Sequence, residues 1–461
     1  MANCRRKRIF FYSCFISYFM TDRIACVGLG FVGLKTSLLF CEEGYNVIGY
    51  DVDEGLIDTL GQGRSPVPEE FPEADIDRYV TSGRFQPTTD PTDIESADTY
   101  LLSVPTPVDG TDPDLTAVKS ASQTIANVLN TDDLVVLQST VPIGTCEKVV
   151  TPILESSGLE IGSDVGLAFV PERYSPGNPE STVVPRLVGS VSEAWQERAC
   201  SLYEPVVEST VPVDSPAVAE AAKLLENVQR DVNIALINEF ARVLWELGIE
   251  AEDVLNGAET KWNFHRYDPG IGVGGHCIPV DPYHFLAAAA DTDVDPVLTK
   301  AARRVNDQGP SVFCDVVMDA LDYMGVSLQN ATVAVVGLSY KPGIGDVRNS
   351  PAIELVSLLD KTGVDITIYD SAYGPDSAFP QISLTNCETF QDAVGNADAV
   401  VFNTTSEHLD CDDVKSALPN DCAVIDMLGG LSRDDIEAEY IDPAIVSGSM
   451  ARINATPKGR I

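Results

Sequence analysis

The chain has 461 residues, 44% of them hydrophobic, enough for about three cored domains at roughly 150 residues each and too many for global disorder. Seventy acidic residues against 30 basic give a net charge of −40, a field that repels nucleic acid and anionic membrane surfaces, so neither is an expected partner. The 11 cysteines are scattered without a C-x-x-C pair, which points to reduced thiols and a cytoplasmic location rather than a disulfide framework.

Residues 1–19, MANCRRKRIFFYSCFISYF, hold a basic cluster and then an aromatic-rich run. They lack a small-residue cleavage site and are too short to span a bilayer. They are expected to be a misassigned or disordered extension before Met20. The acids are spread over the rest of the chain, with 42 Asp, 28 Glu and only 11 Lys. That balance is expected of a halophilic cytosolic protein, whose surface repulsion concentrated salt screens.

From Met20 to Val213, the runs RIACVG, YNVIGYD, TYLLSVP, LVVLQST and VGLAFVP alternate with helical stretches, as in a parallel α/β domain. Gly28-Leu29-Gly30-Phe31-Val32-Gly33 follows the first strand and opens a helix, and Asp51 ends the next strand. In that context the glycines allow a tight turn and close approach to a pyrophosphate, and Asp51 accepts from ribose hydroxyls. NAD is therefore predicted over NADP. Thr106 and Thr140 each stand just beyond an apolar strand, where they either line the cofactor crevice or cap a helix. In Pro171-Glu172-Arg173-Tyr174 the acid beside an Arg forms an ion pair, or positions water and an anionic substrate.

Residues 214–328 have a different texture. Pro216 to Gly248 has no internal Gly or Pro and predicts one helix of about 50 Å at ~1.5 Å per residue. Lys223, Asn227 and Arg230 fall at i, i+4 and i+7 and share a face. A Lys with an amide one turn away can donate to a developing oxyanion. Downstream, Lys261-Trp262-Asn263-Phe264-His265-Arg266-Tyr267 leads into GVGGHCIPVDPY, with Gly270, Gly272, Gly274 and Gly275 in a short span before Cys277 and Asp281. Three histidines (265, 276, 284) lie nearby in sequence, but their spacing matches no usual ligand pattern and no metal is predicted. A thiol displayed by a glycine loop beside a carboxylate reads as a nucleophile. From residue 329 to 461 the α/β rhythm restarts, with Gly337-Leu338-Ser339-Tyr340-Lys341 in place of a full glycine fingerprint and Arg348 following.

The fingerprint, the Lys-x-x-x-Asn helix and the GVGGHCIPVDPY loop, in this order, resemble the UDP-glucose/GDP-mannose dehydrogenase superfamily. The loop is similar to the branch acting on UDP-N-acetylhexosamines, and Val280 stands where the UDP-glucose branch typically has Lys. The resemblance implies two Rossmann-like doubly wound parallel-sheet domains joined by a long central helix and a helical dimerisation region, in a homodimer or higher homo-oligomer. It implies a four-electron oxidation of a UDP-sugar C6 alcohol, with two NAD reduced, through a thiohemiacetal and thioester on Cys277. The expected substrate is UDP-N-acetylmannosamine, with UDP-glucose and UDP-N-acetylglucosamine as alternatives and a nucleotide-sugar-binding regulator as the non-enzyme alternative. Position by position, it makes Lys223, Asn227, Asp281, Glu172 and Thr140 partners of Cys277 in catalysis. It assigns Phe31, Val32, Asp51, Thr106, Thr140 and Arg348 to NAD. To the substrate it assigns Arg173, Tyr174, Lys223, Asn227, Arg230, the Gly270–Gly275 loop, Tyr340 and Lys341, with Lys261 reaching a neighbouring subunit's site.

Overall fold

The computed structural model describes residues 23–68, 70–173, 184–341, 346–371, 384–404, 414, 416–426 and 439–440. The N-terminal extension and Tyr174 therefore lie outside the described residues.

The first sheet contains β1 (Arg23–Val27), β2 (Asn46–Tyr50), β3 (Phe85–Thr88), β4 (Thr99–Leu102), β7 (Leu134–Leu137), β8 (Gly166–Phe169), β9 (Arg186–Ser190) and β10 (Thr210–Val213). A short hairpin, β5 (Val108–Asp109) with β6 (Asp112–Pro113), stands off it. The order is β10-β9-β8-β7-β4-β1-β2-β3, and all pairs are parallel except β8 with β9. Strands β4, β7 and β8 are buried along their whole length. Their near-continuous apolar runs are what a sheet covered by helices on both faces requires. The chain runs outward from β1 to β3 and then returns to β4 on the other side of β1. The switch point, where doubly wound sheets bind ligands, thus falls beyond the carboxyl ends of β1 and β4.

The second sheet is wholly parallel: β11 (Thr332–Val336), β12 (Asp365–Tyr369), β13 (Leu384–Asn386), β14 (Ala399–Phe402), β15 (Ala423–Asp426) and β16 (Glu439–Tyr440), in the order β13-β12-β11-β14-β15-β16. It repeats the opening of the first sheet. Gly28 N–H donates to the Tyr50 carbonyl and Gly337 N–H to the Tyr369 carbonyl, both at 2.8 Å. Asp51 and Asp370, each just past the second strand, accept from the Leu29 and Leu338 amides.

Between the sheets lies the long helix Pro216–Leu247. Ser215 caps it by accepting from the Val218 amide, and Gly248 ends it at φ +67°, a conformation that favours glycine. The helix carries ties to the first domain and to the glycine loop. Fully buried Glu220 accepts from the Gly144 and Cys146 amides of the first domain, at 2.5 and 2.9 Å. Asn238 accepts from the Gly270 amide at 2.9 Å and so anchors the start of the glycine loop. Among the described residues no helix is long and apolar enough to cross a membrane.

Candidate active site

The cofactor side is built by the turn after β1. Gly28 sits at φ +94°, and a Cβ there would stand 2.5 Å from the Ser103 carbonyl oxygen of the neighbouring crossover. A Cβ at Gly33 would overlap the Gly28 carbonyl, so the helix Phe31–Glu42 packs onto the turn only with glycine there. Gly30 faces open space, and the helix start beside Phe31 and Val32 has no side-chain cap. An uncapped helix N-terminus behind a glycine cradle fits a pyrophosphate. Asp51 braces the same turn, with one carboxylate oxygen accepting from the Leu29 amide at 2.7 Å and the other from Asp53 at 3.0 Å. Thr106 Oγ1 donates to the Thr140 carbonyl at 2.7 Å, which ties the loop after β4 to the loop after β7.

The reactive side starts from the turn Cys277–Asp281, in which the Asp281 amide donates to the Cys277 carbonyl at 2.8 Å. Asp281 opens the helix Asp281–Ala289 and is 2% exposed. Its carboxylate accepts from the Asn227 amide at 2.5 Å. Burial raises the Asp281 carboxyl above its ordinary value, against the Lys223 charge and the Asn227 hydrogen bond. The Cys277 thiol is pushed up to about 11, mainly by burial and then by Asp281, while the charges of Lys223, Arg348 and Arg230 pull it down. Lys223 and Asn227 are buried on one face of the long helix, whereas Arg230, one turn on, is exposed.

The C-terminal domain grips this loop by its backbone. The Gly275 amide donates to the Arg348 carbonyl at 3.0 Å, and the Asn349 side-chain amide donates to the Gly275 carbonyl at 3.0 Å. Gly275 sits at φ +89°, and added Cβ atoms at Gly274 and Gly275 would meet Tyr340, its Cβ at 2.5 Å and its ring at 3.0 Å respectively. Tyr340 thus lies flush on the loop two residues from the thiol. Lys341 is half-buried beside it.

Several other expected residues have partners of their own. The carboxylate of Glu172 is taken by Arg186, at 2.5 Å from Nη2, and by the Arg173 amide at 2.9 Å. Arg173 itself is held by Glu226 of the long helix at 2.7 Å and by the Pro185 carbonyl at 2.8 Å. The Arg348 guanidinium is bonded to Asp346 at 2.6 to 3.1 Å while its charge still acts on Cys277. Lys261 is exposed on a loop next to Trp262, itself 91% exposed. The three nearby histidines diverge: His265 is exposed, His276 half-buried and His284 fully buried against Thr106. Among the described residues no three His, Cys, Asp or Glu side chains are grouped to hold a metal.

Three family models cover the chain in order. They are the NAD binding domain of the UDP-glucose/GDP-mannose dehydrogenase family over residues 22–207, its central domain over 217–308 and its UDP binding domain over 334–433. The chain belongs to the UDP-glucose/GDP-mannose dehydrogenase family. It is accordingly an NAD-dependent oxidoreductase, and its glycine cradle and Asp51 fit that cofactor. It is 34% identical to the UDP-N-acetyl-D-mannosamine dehydrogenase of Pyrococcus horikoshii over 384 residues, 83% of this chain and 89% of that one. It is also 34% identical to the UDP-N-acetyl-D-glucosamine 6-dehydrogenase of Pseudomonas aeruginosa, over 79% of this chain and 86% of the other. The solved structure of the Pyrococcus horikoshii UDP-D-ManNAc dehydrogenase superposes with a TM-score of 0.80 at 31% identity, covering 89% of this chain and 96% of that one.

For this member of the family, sequence reasoning missed Arg186, Asn349 and the contact of His284 with Thr106. Arg186 was signalled only by being a cation at the start of a strand. Asn349 gave no sign in the sequence; in the structure its φ of +51° is uncommon outside glycine but tolerated by asparagine.

Proposed function

We propose that the chain oxidises the C6 alcohol of UDP-N-acetylmannosamine to the carboxylate, with Cys277 as covalent nucleophile. The observation that carries the reading is the convergence of half-buried Cys277 on the buried Asp281, Asn227 and Lys223, closed on one side by Tyr340. One alcohol, one water and two NAD yield one carboxylate, two NADH and three protons. NAD supplies the hydride acceptor for both oxidations.

Lys223 and the Asn227 amide stabilise negative charge at the C6 oxygen. In the first oxidation the C6 hydroxyl proton leaves to solvent, and Cys277 Sγ then bonds to the aldehyde carbon. The thiol proton goes to Asp281, and Lys223 supplies a proton to the oxygen, giving a thiohemiacetal. In the second oxidation the hydroxyl proton returns to Lys223 and a thioester remains. Water then attacks the carbonyl carbon and gives up its two protons to solvent as the carboxylate forms, the C–S bond breaks, and the sulfur recovers its proton from Asp281. Glu172, fixed by Arg186, orients that water. Thr140, through Thr106, sets the cofactor side. Tyr340, Lys341, Arg173 and the Gly274–Gly275 backbone meet the substrate. The identities to named UDP-N-acetylmannosamine dehydrogenases, 34% and 33%, and Val280 in place of a Lys support the acetamido sugar.

The long helix supports a homodimer. Leu225, Leu236, Phe240, Val243 and Leu247 are each at least half exposed and lie along one stripe of it. A second copy laid on this stripe would cover it.

The deciding experiment measures NADH formed per sugar for UDP-N-acetylmannosamine, UDP-N-acetylglucosamine and UDP-glucose, with wild type and Cys277→Ser. Two NADH per UDP-N-acetylmannosamine, and loss of that yield in Cys277→Ser, are expected. Preference for UDP-glucose would overturn the substrate, and an undiminished yield from Cys277→Ser would overturn the thioester.

A further inference from the structure

His284 lies on the helix opened by Asp281, one turn after it, and has no exposed surface. Its Nε2 is 3.2 Å from the Thr106 carbonyl oxygen. A carbonyl only accepts, so Nε2 carries the proton and Nδ1 is a lone-pair acceptor. That Nδ1 is buried with no hydrogen-bond partner. An imidazole placed merely to fill space would be replaced at no loss by an aromatic hydrocarbon, because burying an unpaired acceptor is unfavourable. The retained nitrogen is the one that bonds Thr106.

The bond joins two halves of the site. On one side the helix of His284 begins at Asp281, whose amide is hydrogen-bonded to the Cys277 carbonyl. On the other, Thr106 is bonded through its hydroxyl to the Thr140 carbonyl, which couples the two loops beyond β4 and β7. Three hydrogen bonds, linked covalently through the helix from Asp281 to His284 and through Thr106, therefore connect the thiol-bearing turn to the crevice at the switch point of the first sheet. The same helix also packs on β6 of the hairpin that follows Thr106, so the Nε2 bond sets the register of an existing contact.

We infer that His284 is a positioning residue that fixes the separation between the cofactor loops and the Cys277–Asp281 turn, and so the reach of each hydride transfer. The inference rests on the function proposed above. Burial holds the imidazole down to about 4, so it stays neutral, with Nε2 as donor, through the physiological range. Hydride transfer tolerates little misplacement, since a shift of about 1 Å can cost about 10²-fold in rate.

The test compares wild type, His284→Phe, which keeps the ring without the donor, and His284→Gln, whose amide nitrogen reaches the Nε2 position. Steady-state NADH formation is measured with UDP-N-acetylmannosamine and with its C6-dideuterated form, alongside thermal unfolding. His284→Phe is expected to lower kcat by about 10- to 100-fold, to leave KM for the sugar within about threefold and to raise the deuterium isotope effect. His284→Gln is expected to recover most of kcat and to return the isotope effect to the wild-type value. A purely structural role predicts a lower melting temperature with an unchanged isotope effect, and that result would overturn the inference. Wild-type kcat in a folded His284→Phe would overturn it while leaving the proposed function standing. A wild type that oxidises no UDP-sugar would overturn both.

Discussion

The side-chain amide of Asn227 donates to Asp281 at 2.5 Å, joining the long helix to the helix that follows the thiol. Asn227 is 7% and Asp281 2% exposed, so water does not replace either partner when one is removed. A buried carboxylate that loses a hydrogen bond costs roughly 1–3 kcal/mol or more. Asn227→Leu is therefore expected to raise the Asp281 carboxyl further and to lower kcat by about 10²-fold. Asn227→Asp should be worse still, because it sets a second carboxylate against the first. Steady-state kinetics of the two variants check this ordering, and equal activity of Asn227→Leu and wild type would refute it.

The pH dependence of Cys277 follows from its surroundings. With the thiol pushed up to about 11, the thiolate fraction at pH 8 is about 10²-fold below that of an ordinary cysteine. Iodoacetamide should accordingly label Cys277 slowly, at a rate still climbing above pH 9. Asp281→Asn removes a negative charge and should move the midpoint down. Lys223→Met removes a positive one and should move it up. Mass-spectrometric labelling rates against pH give both signs, and shifts in the opposite directions would exclude the electrostatic account.

The two glycines under Tyr340 should respond differently to rescue. Gly274→Ala meets the Tyr340 Cβ, which an alanine at 340 still carries, whereas Gly275→Ala meets the ring. Tyr340→Ala should thus leave the Gly274→Ala defect unrelieved. It should relieve the crowding at Gly275→Ala but not the cost of φ +89°, about 1–2 kcal/mol. Double-mutant cycles on unfolding free energy would read the difference.

Arg186 and Glu172 form an ion pair that is 12% and 8% exposed. Arg186→Met strands a buried carboxylate and should cost about 3–5 kcal/mol of stability. Replacing both residues together, with Glu172→Leu, should recover part of that loss while still slowing thioester hydrolysis. Denaturant unfolding and single-turnover release of the uronic acid separate the two effects.

Much of this protein was legible from local sequence because the signals are local. Gly28 to Gly33 behind an apolar strand, Lys223 and Asn227 four residues apart, and the glycines before Cys277 each encode a backbone shape or a shared face within one or two turns. Periodicity likewise delimited the helix from Pro216 to Gly248 within a residue of its end. The antiparallel β9, the capture of Glu172 by Arg186, the grip of Arg348 and Asn349 on Gly275 and the contact of His284 with Thr106 were not legible. These pairings join residues 14, 73, 74 and 178 positions apart. Sequence determined which chemical groups the chain carries and the short-range shapes that present them. Only the packing of two sheets around one helix decided which groups meet, because burial and hydrogen-bond geometry depend on neighbours that the chain brings together only when folded.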